Sequence, residues 1–418
     1  MDGGERASFA EQLAALRDQA GLSLADVATA AHVARGYVHH IEHGRRWPTQ
    51  RVATALDNAL NAEGTLLAAW EMADALPGAA SVPANPDSRE RVALAARRPR
   101  RVDAATVCAL ADVLTATRHL EDKIGSAAVL PGIRGHRALA LSLLADARPP
   151  IRDRVGALAG ELHQYLGWLL AETGHTEQAH PELDAALALG VEIDDPDLTS
   201  LALSFKGHLA WTLGDPPGVI TCSRAARRDQ RVFIAQHAYN TYQEARGWAM
   251  AGEPTQVHRT LNHADELAER AVARQGDAPP HMYWYGSGFF TLQRGLTWHT
   301  LRDTHVAERA ATELTNGLDQ LPDTERHSEW AAIFAVAAAE ALTTAGDAER
   351  ALDHAHQALA VCRTTRSTRL AHALRRAHTQ MWDTWPTHAA VRELGDEEPS
   401  IFRTANPCLC DKTSPARR

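Results

Sequence analysis

Four times between residues 168 and 362 the chain repeats one phrase: an apolar helical run, a short turn holding Gly, then an Ala-rich helix. The instances are WLLAETGHTEQAHPELDAALALG (168–190), LAWTLGDPPGVITCSRAARR (209–228), GWAMAGEPTQVHRTLNHADELAER (247–270) and ALTTAGDAERALDHAHQALAVC (341–362). The turn glycines fall at 174, 214, 252 and 346, so the last gap leaves room for one divergent unit, WHTLRDTHVAERAATEL (298–314). Apolar residues recur at helical spacing, and no run alternates as a strand does. A helix pair repeated at this period buries its apolar face only by stacking on its neighbours, which makes a solenoid. The expected fold class is all-α. Residues 104–395 are predicted as a helical repeat domain, with 104–160 packing ahead of the first clear repeat.

The chain has 418 residues, which suggests more than one domain. An apolar fraction of 45% with 23% charged residues is enough to bury a core without suggesting a membrane protein. No stretch approaches 18 uncharged apolar residues, and MDGGERASF lacks the pattern of a signal peptide. The five cysteines are scattered and odd in number, which argues for a reducing cytoplasm. The net charge of −9 disfavours bulk nucleic-acid binding but leaves room for a local basic patch.

Such a patch lies near the N-terminus. Residues 8–20 read as an amphipathic helix, with Phe9, Leu13 and Leu16 on one side and Gly21 as its stop. In SLADVATAAHVARGYVHHIEHG (23–44), Ser23 and Asp26 have the spacing of a capping box. Val27, Ala28 and Ala31 share one face of the helix that follows. Val33 plugs the break, Val38 and Ile41 form the buried stripe of a second helix, and Gly44 is expected to cap it. That leaves Arg35, Gly36, Tyr37, His39 and His40 exposed. Over residues 32–51 the fixed charges are Arg35, Arg45, Arg46 and Arg51 against Glu42 alone. Thr49 is the expected cap of a fourth helix with Val52, Leu56, Ala59 and Leu60 as its core face, and a fifth is expected near Thr65–Trp70.

The stretch LRDQAGLSLADVATAAHVARGYVHHIEHGRRWPT resembles the helix-turn-helix of the XRE family, which includes phage Cro and repressor proteins. Leu16-Arg17, Gly21-Leu22-Ser23, Val27-Ala28, Val33, Ile41-Glu42 with Gly44, and Arg45-Arg46 with Pro48 carry the resemblance. It implies a DNA-binding domain over residues 8–70. By resemblance, Arg35, Gly36, Tyr37, His39 and His40 would face base edges or phosphates, with Arg35 the best candidate for a bidentate contact to guanine. Arg17, Ser23, Arg45 and Arg46 would hold phosphates and so position the domain. Three positions depart from the family pattern. His32 stands where glycine is usual, in a turn that often needs positive φ. Ala34 replaces the usual Ser cap of the recognition helix. Leu24 stands where a Gln often touches a phosphate.

Residues 71–103 are expected to form a Pro/Arg-rich linker. Arg89, Arg91, Arg97, Arg98, Arg100 and Arg101 stand against Asp87 and Glu90 in its second half, so it reads as a solvated tether or as an arm along a phosphate backbone. Residues 396–418 read as a flexible tail, in which Cys408-Leu-Cys410 is too small a set for zinc. The repeat units resemble tetratricopeptide repeats. An XRE-type head on such a body is similar to a class of actinobacterial regulator, and to peptide-responsive regulators more broadly. In that class the body dimerises, senses a ligand, or both.

Aromatics make up only 6% of the chain, yet Tyr283, Trp284, Tyr285, Phe289, Phe290 and Trp298 crowd into one stretch with Arg294 beside them. Together with Asn240 and Asn262 they are the candidate ligand site on a concave face, ordinary inter-repeat packing being the competing account. His39-His40-Ile41-Glu42-His43 formally matches the H-x-x-E-H zinc-peptidase signature, but Ile41 and Glu42 are already explained by the helix-turn-helix and no further ligand is evident. No phosphate-binding glycine loop and no nucleophile–base set occurs, so no enzyme, cofactor or metal is expected. The sequence therefore reads as a cytoplasmic, nucleoid-associated transcription regulator, homodimeric on double-stranded DNA, with a peptide or small molecule as effector. The alternatives are a DNA-tethered scaffold that recruits a protein partner, and an autoregulatory antitoxin- or prophage-type repressor.

Overall fold

The computed structural model describes residues 3–43, 48, 50–62, 64–67, 70, 86–279 and 282–402. Among these residues there is no strand, and the fold is all-α. The chain divides into two compact units, Met1–Thr117 with Leu130–Val155, and Arg118–Val129 with Gly156–Arg418.

The first unit begins with α1 (Gly3–Gln19), α2 (Leu24–Ala30), α3 (Arg35–Glu42) and α4 (Gln50–Ala59). Phe9, Leu13, Val27, Val38, Leu56 and Leu66 are fully buried at their centre. The Ser23–Asp26 capping box is formed: Ser23 Oγ accepts from the Asp26 amide while the Asp26 carboxylate accepts from the Ser23 amide. Ala34 stands at the N-cap of α3 and offers no side-chain acceptor. His32 adopts φ 55°, the left-handed turn expected of a position where glycine is usual. Leu24 packs against the core, which accounts for an apolar residue at that position. Beyond α4, the buried Asp57 carboxylate accepts from the Gly64, Leu66 and Leu67 amides at 2.8, 2.8 and 3.2 Å and so caps the next helical turn. Trp70 Nε1 donates to Pro48 O at 2.8 Å, tying that turn to the segment ahead of α4. The expected caps Gly44 and Thr49 lie outside the described residues.

The second half of the expected linker is not a tether. It forms α5 (Pro86–Arg97), followed by a 3₁₀ turn over Pro99–Arg101. The reason is local: Pro86 can start a helix, Asp87 sits in the first turn, and RERVALAAR is rich in strong helix formers. Ala95 is buried, and Arg91 Nη1 reaches Asp103 Oδ2 at 3.0 Å. Two long helices follow, α6 (Ala104–Ile124) and α7 (Ser126–Asp146).

The second unit is a series of helix hairpins. Its helices are α8 (Ile151–Glu172), α9 (Thr176–Glu192), α10 (Pro196–Thr212), α11 (Pro216–Ala226), α12 (Ile234–Met250) and α13 (Pro254–Val272). They continue as α14 (Ser287–Thr300), α15 (Ala307–Gln320), α16 (Glu329–Ala345), α17 (Ala348–Thr365) and α18 (Thr368–Thr384), with short helices over Asp323–Arg326, Ala389–Glu397 and Pro399–Phe402. The start of the expected flexible tail is therefore helical and packed, because Phe402 is buried in the core. Gly174, Gly214, Gly252 and Gly346 turn four of the hairpins at φ 82°, 72°, 73° and 87°. The fifth, α14–α15, turns at Arg302 with φ 54°, which places the divergent unit where the spacing left room for it. Each hairpin packs on the next: α9 on α10, α11 on α12, α12 on α14, α15 on α16 and α16 on α18. Two helices are buried almost all round. In α12 the buried set includes Gln236, Asn240, Thr241, Gln243, Glu244 and Arg246, whereas in α16 it is largely alanine.

Candidate nucleic-acid interface and aromatic cavity

On α3 the burial of Val38 and Ile41 turns Arg35, Gly36 and His40 to solvent. Tyr37 and His39 are half-buried; Tyr37 packs on the domain core, and the His39 ring lies 4.1 Å from that of His43. The exposed face of α3 is therefore narrower than the five residues expected of it. His43 Nδ1 is held to the His39 carbonyl at 2.8 Å. Among the described residues no group of three or more His, Cys, Asp or Glu is placed to hold a metal ion.

The expected phosphate-binding residues separate. Ser23 is exposed, with its hydroxyl donating to Asp26 Oδ2 at 2.7 Å. Arg17 points inward instead. Its Nε and Nη2 donate to Glu42 Oε1 and Oε2 at 2.6 and 3.3 Å, and its Nη1 donates to Asp18 and to the Leu22 carbonyl. It thus ties α1 to the end of α3, and its guanidinium is committed to Glu42 rather than turned to a phosphate. Arg45 and Arg46 lie outside the described residues. Residues 8–70 match the family described as a helix-turn-helix domain. The chain carries a helix-turn-helix DNA-binding domain. No curated protein matches the chain. No described helix is long and apolar enough to cross a membrane.

The second unit holds a partly open cavity of about 130 Å³, and the aromatic stretch supplies only part of its lining. Tyr283, Trp284, Tyr285 and Phe289 line the space. Phe290 and Trp298 are buried in the surrounding core, where Phe290 stacks near Tyr242 and Trp298 lies under Arg309. Arg294 is drawn away to Asp265 and Glu313, at 3.2 and 3.3 Å. Asn240 is fully buried and donates to the Gln236 carbonyl, an intrahelical bond, and Asn262 is exposed. These last five residues do not line the cavity, so the candidate ligand set resolves into four wall residues and a supporting shell.

The opposite walls come from hairpins far away in sequence. Trp168, Phe205, His208 and Trp211 project from α8 and α10, and Trp330 and Phe334 from α16. The polar lining is Arg118, Glu121, Asp122, Gln164, Arg246, Gln293 and Arg369. Arg118 pairs with Glu161 and Arg369 with Glu172. Burial pushes the Glu121 carboxyl up to about 8, although Ser126 Oγ donates to it at 2.6 Å. Burial also raises Asp122, to about 6, against the opposing bond that Tyr283 Oη donates to it at 2.6 Å. Burial lowers the His208 pKa and favours the neutral ring.

Proposed function

We propose that the protein is a transcription regulator: the helix-turn-helix reads an operator, and the helical repeat body dimerises and senses a small effector in the aromatic cavity. Its role is binding rather than catalysis, and it works in the cytoplasm. The observation that carries the DNA-binding part is the exposed Arg35-Gly36 face of α3 within a matched helix-turn-helix domain. A helix presented in this way reads only a few base pairs, so a symmetric dimer on two half-sites supplies the footprint. The observation that supports sensing is a cavity in the body that combines aromatic walls with buried charge, the usual make-up of a small-molecule site. The repeat units fit a tetratricopeptide-like stack, an architecture well suited to coupling occupancy of one hairpin to the spacing of two heads.

The test is a salt-series gel shift of the full chain on its own upstream DNA. Specific retardation that weakens steeply with salt is expected. Binding that is equal on scrambled DNA of the same composition would overturn the operator-reading part.

A further inference from the structure

Arg246 differs from the other arginines on the cavity wall. Arg118 and Arg369 each face a glutamate. Arg246 is only 2% exposed and sits toward the C-terminal end of α12. Its guanidinium lies over the Trp211 ring at 4.7 Å, and its Nη1 donates to Gln293 Oε1 at 3.1 Å. Tyr239 favours the charged form through its charge and a side-chain hydrogen bond, against the larger effect of burial. Arg246 Nε and Nη2 are buried and make no hydrogen bond of ordinary length and angle among the described residues.

Those two atoms form one edge of the guanidinium. They are the adjacent pair of parallel donors that a carboxylate accepts with both oxygens. A buried cation with that edge unsatisfied is costly, and an incoming carboxylate removes the cost. The rest of the lining agrees. Three further buried donors on the wall, Trp330 Nε1, Tyr165 Oη and Arg369 Nε, also make no hydrogen bond among the described residues, nor does the His208 Nε2 nitrogen. The acids on the wall are already engaged: Glu121 with Ser126, and Asp122 with Tyr283. The open valences are therefore mainly donors, and they call for an acceptor. A space of about 130 Å³ is close to that which accepts benzene, so it suits a compact ring.

We propose that this cavity binds a compact aromatic carboxylate, with its two oxygens on the Nε/Nη2 edge of Arg246 and its ring between the aromatic walls. The assignment deepens the effector-sensing reading and rests on it only for its consequence at the DNA. Binding itself is read on the protein alone.

The test titrates the full chain with phenylacetate, phenylacetamide, acetate and 2-phenylethylamine, followed by tryptophan fluorescence and calorimetry. Phenylacetate is expected to bind at least tenfold more tightly than each of the other three. Arg246→Gln is expected to bring the acid and the amide to within twofold of each other. An amide or amine that binds as well as the acid overturns the assignment, as does the absence of saturable phenylacetate binding. Because acid and amide are compared on the unaltered chain, the result decides the matter even where Arg246→Gln does not fold. Tyr165→Phe, which removes one unpartnered hydroxyl, is a milder second variant and should weaken phenylacetate while leaving the fold intact. Phenylacetate binding that leaves the gel shift unchanged supports the cavity assignment and overturns sensing, so the two failures are distinguishable.

Discussion

Arg17 Nε lies 2.6 Å from Glu42 Oε1, with the carboxylate side chain only 5% exposed and the guanidinium 17%. This pair fastens α1 of the helix-turn-helix domain to the end of α3. Removing one member leaves the other partly buried without its counter-charge, which costs about 2–5 kcal/mol. Glu42→Ala is therefore expected to lower the melting temperature of the domain and to speed amide exchange across residues 35–43. If Arg17 acted chiefly on phosphate, Glu42→Gln would free it and tighten DNA binding at low salt. The engaged geometry predicts the reverse, weaker binding with an unchanged salt slope.

Arg35 is exposed at the first turn of α3, where a side chain can reach base edges. Arg35→Ala is expected to relax sequence preference by about 1–3 kcal/mol at one base pair. Arg46→Ala, on the basis of charge alone, should weaken all sequences alike and flatten the salt dependence. Competition gel shifts with single-base operator variants separate the two effects. Equal loss of preference in both variants would remove Arg35 from the base-reading set.

The Glu121 carboxyl, raised from 4.5 to about 8, ties stability to pH. The folded form holds this proton where the unfolded chain has already released it. Its contribution is therefore fully present below about pH 4.5 and is lost progressively as pH rises through about 8. Asp122, raised from 3.8 to about 6, acts in the same direction over a lower window. The urea midpoint of the second unit should fall between pH 5 and pH 8 for this reason. Glu121→Gln, which stays neutral and can still accept from Ser126, should flatten that fall. Superimposable pH profiles for the two proteins would rule the effect out.

How much of this was legible in the residues depended on how local the signal was. The helix-turn-helix is written in contiguous spacing. Ser23 with Asp26, Val27 with Ala28, and Val38 with Ile41 all act within one or two turns, and they appear in the structure as expected. Arg17 was harder, because its partner Glu42 lies 25 residues on and the charge of an arginine looks the same inward or outward. The cavity was only half legible. Tyr283, Trp284, Tyr285 and Phe289 form a visible cluster, but Trp168, Trp211 and Trp330 join it only because the hairpins stack. Asn240 and Arg294 were misleading for a shared reason: each had a partner close by on its own or an adjacent helix, which took it out of the cavity. The α5 helix was obscured by the prolines around it, although its own nine residues after Ser88 favour a helix.

The hairpin turns show where the repeat spacing itself broke. At four turns the left-handed residue is glycine, and at the fifth it is Arg302 with φ 54°. A residue with a Cβ in that conformation is strained by about 1–2 kcal/mol. Glycine removes the strain but returns part of the gain through the larger entropy of the unfolded chain. Arg302→Gly is therefore expected to stabilise the second unit by about 0.5–1 kcal/mol, read as a higher urea midpoint at constant slope. The mirror experiment is Gly252→Ala, at φ 73° with nothing within 4 Å of the added methyl group, so that the backbone alone decides the outcome. It should destabilise by about 1–2 kcal/mol, while Gly252→Asn should be milder because Asn visits this region more readily. If Arg302→Gly destabilises instead, the side chain of Arg302 contributes more to the hairpin than its backbone strain removes.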